Sequence, residues 1–357
     1  MDKSSELMQE LLLKASSTGA SDIHLVANNY PIFRTMGKLE QYQPGGIIDS
    51  EHLMAMITSV MNQNQKEVFL RELELDFSLH VPGKARFRAN AYFQKGTPAI
   101  SLRYIPDKIP VISELGLPDI CHSFTKLKQG FILVTGPTGS GKSTTLAAII
   151  DEINSTRTDH VVTIEDPIEF VHENKKSIMS QRELGGDTKS WGNALKSVLR
   201  EDPNVVYIGE MRDPDTMQAA MTVAETGHLV FATLHTNSAA QSIERIVDSF
   251  PENQQSQMVL QLSMVLEAVL SQRLIPTISG KRVVVTEIMV VTPAIRNNIR
   301  EGKTFQIDNV IQTSGNLGMR LMENSLADLV NKNIIDRTTA LEYAIRPSLL
   351  DKLLGGR

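Results

Sequence analysis

Residues 136–143 read Gly136-Pro137-Thr138-Gly139-Ser140-Gly141-Lys142-Ser143, an uninterrupted phosphate-binding loop. The apolar run Phe131-Ile132-Leu133-Val134 precedes it, and a helix-prone stretch from Thr144 to Ile153 follows. Strand, glycine loop and helix in that order place a nucleoside triphosphate on this chain. The glycines at 136, 139 and 141 let the backbone curl until successive N–H groups converge on phosphate oxygens, and a helix N-terminus adds its positive end. Lys142 reaches the β- and γ-phosphates as a point charge, and the Ser143 hydroxyl is a ligand for the Mg²⁺ that bridges them.

A chain of 357 residues is long for one core and predicts about two domains. With 41% apolar residues and 22% charged ones, the composition is that of a globular protein and not of a disordered or fibrous one. No run approaches the roughly 20 apolar residues of a membrane span. The polar, acidic start Met1-Asp2-Lys3-Ser4-Ser5-Glu6 does not read as a secretory signal. The single cysteine, Cys121, can build neither an internal disulfide nor a four-cysteine zinc site, which suits a reducing cytoplasm. A net charge of −5 with both signs scattered along the chain argues against nucleic acid as the main ligand.

The pattern changes along the chain. Residues 1–105 read as a small α+β domain: helical periodicity around Leu7, Leu11 and Leu12, then strands at Ile23–Val26, Ile32–Met36, Leu75–Val81 and Arg86–Phe93, with a helix near Leu53–Met61 between them. The prolines at 106, 110 and 118 suggest a linker over 106–118. Residues 119–357 then alternate apolar strands with helices, as a mostly parallel sheet requires. The strand candidates are Phe131–Thr135, His160–Ile164, Val205–Ile208 and Leu229–Leu234. Met258, Leu262, Val265, Leu266, Val269 and Leu270 predict one long amphipathic helix up to Arg273, followed by a hairpin-like stretch near Arg282–Val291 and short helices.

Phosphoryl transfer to water needs a gripped triphosphate, a metal, a group that orients the water and cations on the transferring phosphoryl. Val205-Val206-Tyr207-Ile208-Gly209-Glu210 is an apolar strand ending in a carboxylate, the Walker B arrangement with Glu in place of the more usual Asp. Glu210 is thus expected beside Mg²⁺, directly or through water. Thr163-Ile164-Glu165-Asp166-Pro167-Ile168-Glu169 sets further carboxylates at the end of another strand, on the side where open α/β sheets bind ligands. Glu169 is favoured as the group that polarises water and Glu165 as a supporting acid. The pattern leaves Glu165, Glu169 and Glu210 all open as the base. His228 and His235 bracket the strand 229–234. His228 reads either as a satisfied surface residue or as a nucleotide contact, whereas His235 is placed to sense a γ-phosphate.

Taken together and in order, the loop Gly136–Ser143 with Thr144, the acidic stretch Thr163–Glu169, Ile208-Gly209-Glu210-Met211-Arg212-Asp213 and Glu225-Thr226-Gly227-His228 through His235-Thr236 resemble the secretion ATPase superfamily. Within it the chain resembles the PilT family of type IV pilus retraction ATPases over essentially its whole length. Ala20-Ser21-Asp22-Ile23-His24-Leu25 and Arg86-Phe87-Arg88-Ala89-Asn90 carry the resemblance in the first domain. It implies a PAS-like N-terminal domain, a RecA-like P-loop core with a helical C-terminal region, and a homohexameric ring that hydrolyses ATP. It implies that Arg86, Arg88 and Arg103 complete the nucleotide site; surface ion pairing is the plainer reading of those side chains. It further implies a cytoplasmic protein at the inner face of the cell membrane, with a pilus platform protein and a paralogous pilus ATPase as partners.

The segment Ala294-Ile295-Arg296-Asn297-Asn298-Ile299-Arg300-Glu301 resembles the family's retraction-linked motif, with Asn298 where Leu is usual. Pilus extension and type II secretion ATPases are the near alternatives, but those relatives carry a four-cysteine zinc element that Cys121 alone cannot supply. A nucleotide-binding accessory paralogue with little turnover and a nucleic-acid translocase are the alternatives of other classes.

Overall fold

The computed structural model describes residues 3–81, 85–105 and 108–355. The chain forms two compact units, residues 1–108 with 167–171 and residues 109–166 with 172–357.

The first unit is one six-stranded antiparallel sheet: β1 (Asp22–Val26), β2 (Ile32–Thr35), β3 (Lys38–Gln41), β4 (Glu74–Val81), β5 (Ala85–Gln94) and β6 (Thr97–Ile105), in the order β3-β2-β1-β6-β5-β4. Strict alternation on β5 buries Ala85, Phe87, Ala89 and Ala91 and turns Arg86, Arg88 and Asn90 to the other face. Against the buried face lie the helices Lys3–Thr18 and Ser50–Ser59, through Met8, Leu11, Leu12, Leu53, Met56 and Ile57. Their i, i+3, i+4 spacing puts these side chains on one stripe.

The second unit is built on β7 (Gly130–Thr135), β8 (His160–Glu165), β9 (Ile178–Glu183), β10 (Val205–Ile208), β11 (Leu229–Leu234), β12 (Leu266–Pro276) and β13 (Arg282–Val290), in the order β13-β12-β7-β11-β10-β8-β9. All neighbours are parallel except β12 and β13. The four strands expected from apolar runs are present, and β7, β10 and β11 are buried throughout, as a sheet covered on both faces demands.

Two expectations need correction. The long helix expected to reach Arg273 ends at Val265, and Leu266–Pro276 is a strand paired with β7 on one side and β13 on the other. Leu266, Val269 and Leu270 continue the helical spacing of Met258, Leu262 and Val265, and a short apolar run cannot be told from a helix segment by periodicity alone. In the stretch 106–118, residues 106 and 107 lie outside the described residues. Beyond them Ile112–Leu115 forms a 3₁₀ turn, and Ile112 and Leu117 are buried with Ile132, Val134 and Ile149. This part of the chain packs in the second core.

Candidate nucleotide site

Strand β7 delivers the phosphate loop at its carboxyl end, and the backbone there admits only glycine at its first position. Gly136 has φ +144°, and a Cβ on it would lie 2.2 Å from the Gln272 carbonyl oxygen of β12. The Gln272 side chain reinforces the same contact, its Nε2 donating to the Ser140 carbonyl at 2.7 Å. One residue earlier, the Thr135 and Ser271 hydroxyls meet at 2.8 Å between β7 and β12. The loop is therefore anchored through contacts 132 and 136 residues apart in the chain. Ser271 and Gln272 were not among the residues expected at the site; they are polar side chains buried in β12, at 0% and 1% exposure.

The helix Lys142–Thr156 starts on the loop without a side-chain cap. By contrast, the helices that follow Ser190, Asp213, Ser238 and Thr292 all carry one. An uncapped first turn keeps its N–H groups available to an anion. Lys142 is 9% exposed, and its Nζ donates to the Gly136 and Pro137 carbonyls at 2.8 and 3.1 Å. Ser143 and Thr144 are half-buried in the first turn. Beside the loop a cavity of about 340 Å³ is lined by Pro137, Thr138, Gly139, Ser140, Asn237, Arg273, Leu274 and Tyr343.

The carboxylates occupy neighbouring strand ends. Glu165 closes β8, is 5% exposed, and accepts from the Thr163 hydroxyl at 2.7 Å. β10 ends at Ile208, and the next residue, Gly209, lies beside Glu165: a Cβ there would be 3.3 Å from the Glu165 Cα and the Ile164 oxygen. Glu210 follows, with its Oε1 accepting from His235 Nε2 at 2.9 Å and its Oε2 paired with Arg212 Nη2 at 3.0 Å. Burial opposes the charge on Glu210, but the hydrogen bond and charge of Arg212, together with His235, hold its carboxyl below the usual range. Glu210 and His235 are thus brought together, and Arg212 joins them unforeseen.

The remaining expected residues belong to other parts of the chain. Glu169 belongs to the segment 167–171 of the first unit. Arg86, Arg88 and Arg103 are on its sheet, with Arg88 directly opposite Arg103 across β5 and β6. Arg103 Nε donates to Asp22 at 2.9 Å, and Arg34 stands 3.6 Å from the same carboxylate. His228 requires a correction. It precedes β11 and takes the Gly130 N–H on its carbonyl, so it sits level with the start of β7. The loop leaves the other end, about 20 Å away at the rise of a strand. At its own end of the sheet the His228 ring bonds the Val223 carbonyl and the Thr226 hydroxyl, closing the turn after the helix Pro214–Glu225.

The segment Ala294–Glu301 lies in and just beyond the helix Pro293–Arg300, whose Ile295 and Ile299 lie in the core of the second unit. Arg296 fastens it through the Ser263 and Met264 carbonyls and Glu267.

A phosphate loop at the end of a central parallel strand, with a carboxylate just past the end of β10, one strand removed across β11, defines a RecA-like P-loop ATPase core. The chain is 47% identical over 338 residues to the type IV pilus retraction ATPase PilT of Pseudomonas aeruginosa, covering 95% of this chain and 98% of that one. It is 50% identical over 289 residues to the twitching motility protein of Neisseria gonorrhoeae, covering 81% and 77%. The crystal structure of the pilus retraction motor PilT with bound ADP superimposes with a TM-score of 0.90 at 45% identity, covering 96% of this chain and 98% of that one. Residues 2–334 match the type II/IV secretion system protein family, and the chain belongs to it. No helix among the described residues is long and apolar enough to cross a membrane.

Proposed function

We propose that this chain is a motor ATPase that hydrolyses ATP to drive retraction of type IV pili. The observation that carries the reading is the convergence of the Gly136–Ser143 loop and the Glu210–His235–Arg212 cluster at one edge of the sheet, in a chain similar to PilT over 95% of its length. The loop N–H groups and Lys142 hold the triphosphate, and Lys142 exchanges its carbonyl partners for phosphate oxygens. Glu169 polarises the attacking water and Glu165 supports it. His235, hydrogen-bonded to Glu210, couples the γ-phosphate to the Walker B strand. Arg86, Arg88 and Arg103 supply the cations that a transferring phosphoryl needs beyond Lys142.

Among the described residues no group of three or more His, Cys, Asp or Glu side chains is assembled for a metal. That fits Mg²⁺, which keeps its waters and takes one or two protein oxygens besides phosphate. Ser143 and Glu210 are such hard oxygen donors, and the ion would neutralise phosphate charge there.

We further propose a homohexameric ring in the cytoplasm, seated against a platform protein at the inner membrane, in which closure on nucleotide moves one domain against another. A phosphate-release assay tests the enzymatic reading: wild type turns over and Lys142→Ala does not, whereas equal rates in both would exclude a motor.

A further inference from the structure

The chain leaves the second unit after Asp166, contributes residues 167–171 to the first, and returns at His172. The excursion is short and carries Glu169, so whatever fixes its two stems fixes where that carboxylate is presented.

One side chain touches both stems. Gln181 lies on the edge strand β9, directly opposite Thr163 in the parallel ladder with β8, which puts the side chains of residues 163, 165 and 181 on one face. Its Oε1 accepts from the His172 backbone N–H at 2.7 Å, and its Nε2 donates to Glu165 Oε1 at 3.3 Å. The assignment of the amide follows from its partners, since a backbone N–H can only donate and an ionised carboxylate can only accept. The same Glu165 oxygen takes the Thr163 hydroxyl at 2.7 Å, so two donors fix its rotamer while the other end of the amide holds the returning chain. His172 is itself a firm post, with an imidazole side chain only 3% exposed.

We propose that Gln181 is a positioning residue for ATP hydrolysis: its amide clamps Glu165 to the backbone of His172 and thereby sets the placement of the loop that carries Glu169. The inference rests on the role given above to the stretch 163–169. The clamp needs one acceptor and one donor on a side chain of this length. Methionine keeps the length and loses both functions, and glutamate keeps the acceptor but sets a second negative charge against Glu165.

Steady-state ATPase kinetics, binding of a fluorescent ADP analogue and thermal melts of full-length Gln181→Met and Gln181→Glu test this. Misplacement of a catalytic group should lower kcat about 10- to 100-fold in Gln181→Met, while nucleotide affinity and folding stay as in wild type. In Gln181→Glu the kcat relative to wild type should rise as pH falls, because a protonated carboxyl regains the O–H donor toward Glu165. A folded Gln181→Met enzyme with wild-type kcat overturns the proposal, as does a pH-independent ratio for Gln181→Glu. Glu165→Gln separates the two levels: full activity in that variant would overturn the role of the acidic stretch itself.

Discussion

Gly136 shows how one position can be decided by a backbone on another strand. A methyl group there meets the Gln272 carbonyl oxygen at 2.2 Å, and neither backbone can yield without moving β7 or β12. Gly136→Ala is expected to abolish nucleotide binding, measured by fluorescent ADP titration, and to destabilise the fold by roughly 1–3 kcal/mol. His172 sets a pH limit of a different kind. Its burial, with Asp151 opposing and Lys175 adding, lowers the imidazole pKa to about 4 from an ordinary value of 6.5. The unfolded chain therefore binds a proton that the folded one refuses. Stability from this group is complete above pH 6.5 and is lost as pH falls toward about 4, by up to about 3 kcal/mol. Urea unfolding of wild type and His172→Asn across that range checks it; the variant should show a shallower acid loss.

At the scale of elements, β12 joins the phosphate loop to the C-terminal helices. Gln272 holds Ser140, and the next residue, Arg273, donates to the Tyr343 carbonyl at 2.7 Å. Gln272→Leu removes one buried hydrogen bond and strands a carbonyl, a cost of about 1–3 kcal/mol. Because the stranded group belongs to the loop, nucleotide affinity should fall with it, by about 10-fold for each 1.4 kcal/mol expressed in binding. Unchanged affinity in isothermal titration would show the anchor to be structural only. Further along the chain, Arg346 meets Glu287, Asp308 and Glu323 at once. Glu287 also accepts the Ala239 N–H at 2.8 Å, at the start of the helix that follows β11. Breaking a buried network by removing one partner typically costs about 3–5 kcal/mol, and thermal melts of Arg346→Met should register a loss of that order.

At the scale of the whole molecule the prediction concerns cells. A strain lacking this chain should keep abundant pili and lose twitching, and a Lys142→Ala copy should not restore movement. Bald cells would contradict retraction. The helix Pro293–Arg300 spends Ile295 and Ile299 on its own core, so any part it has in retraction must be carried by its exposed positions, such as Asn297 and Arg300.

Local sequence determined what depends on local physics. The phosphate loop was legible because glycine spacing, Lys142 and Ser143 are contiguous, and β7, β8, β10 and β11 because buried parallel strands are unbroken apolar runs. The alternation of Arg86 and Arg88 was legible from the period of a strand. What sequence could not decide was which distant segments meet. Leu266–Pro276 carries a helical stripe and is a strand, because the open edges of β7 and β13 supply hydrogen bonds along its whole length. His228 stands in a recognisable motif and lies at the far end of β11, because parallel strands send their two ends to opposite edges of the sheet. Gln272 on Ser140 and Gln181 between Glu165 and His172 both arise from register between strands. Register is a property of the assembled sheet and leaves no mark in any single stretch of chain.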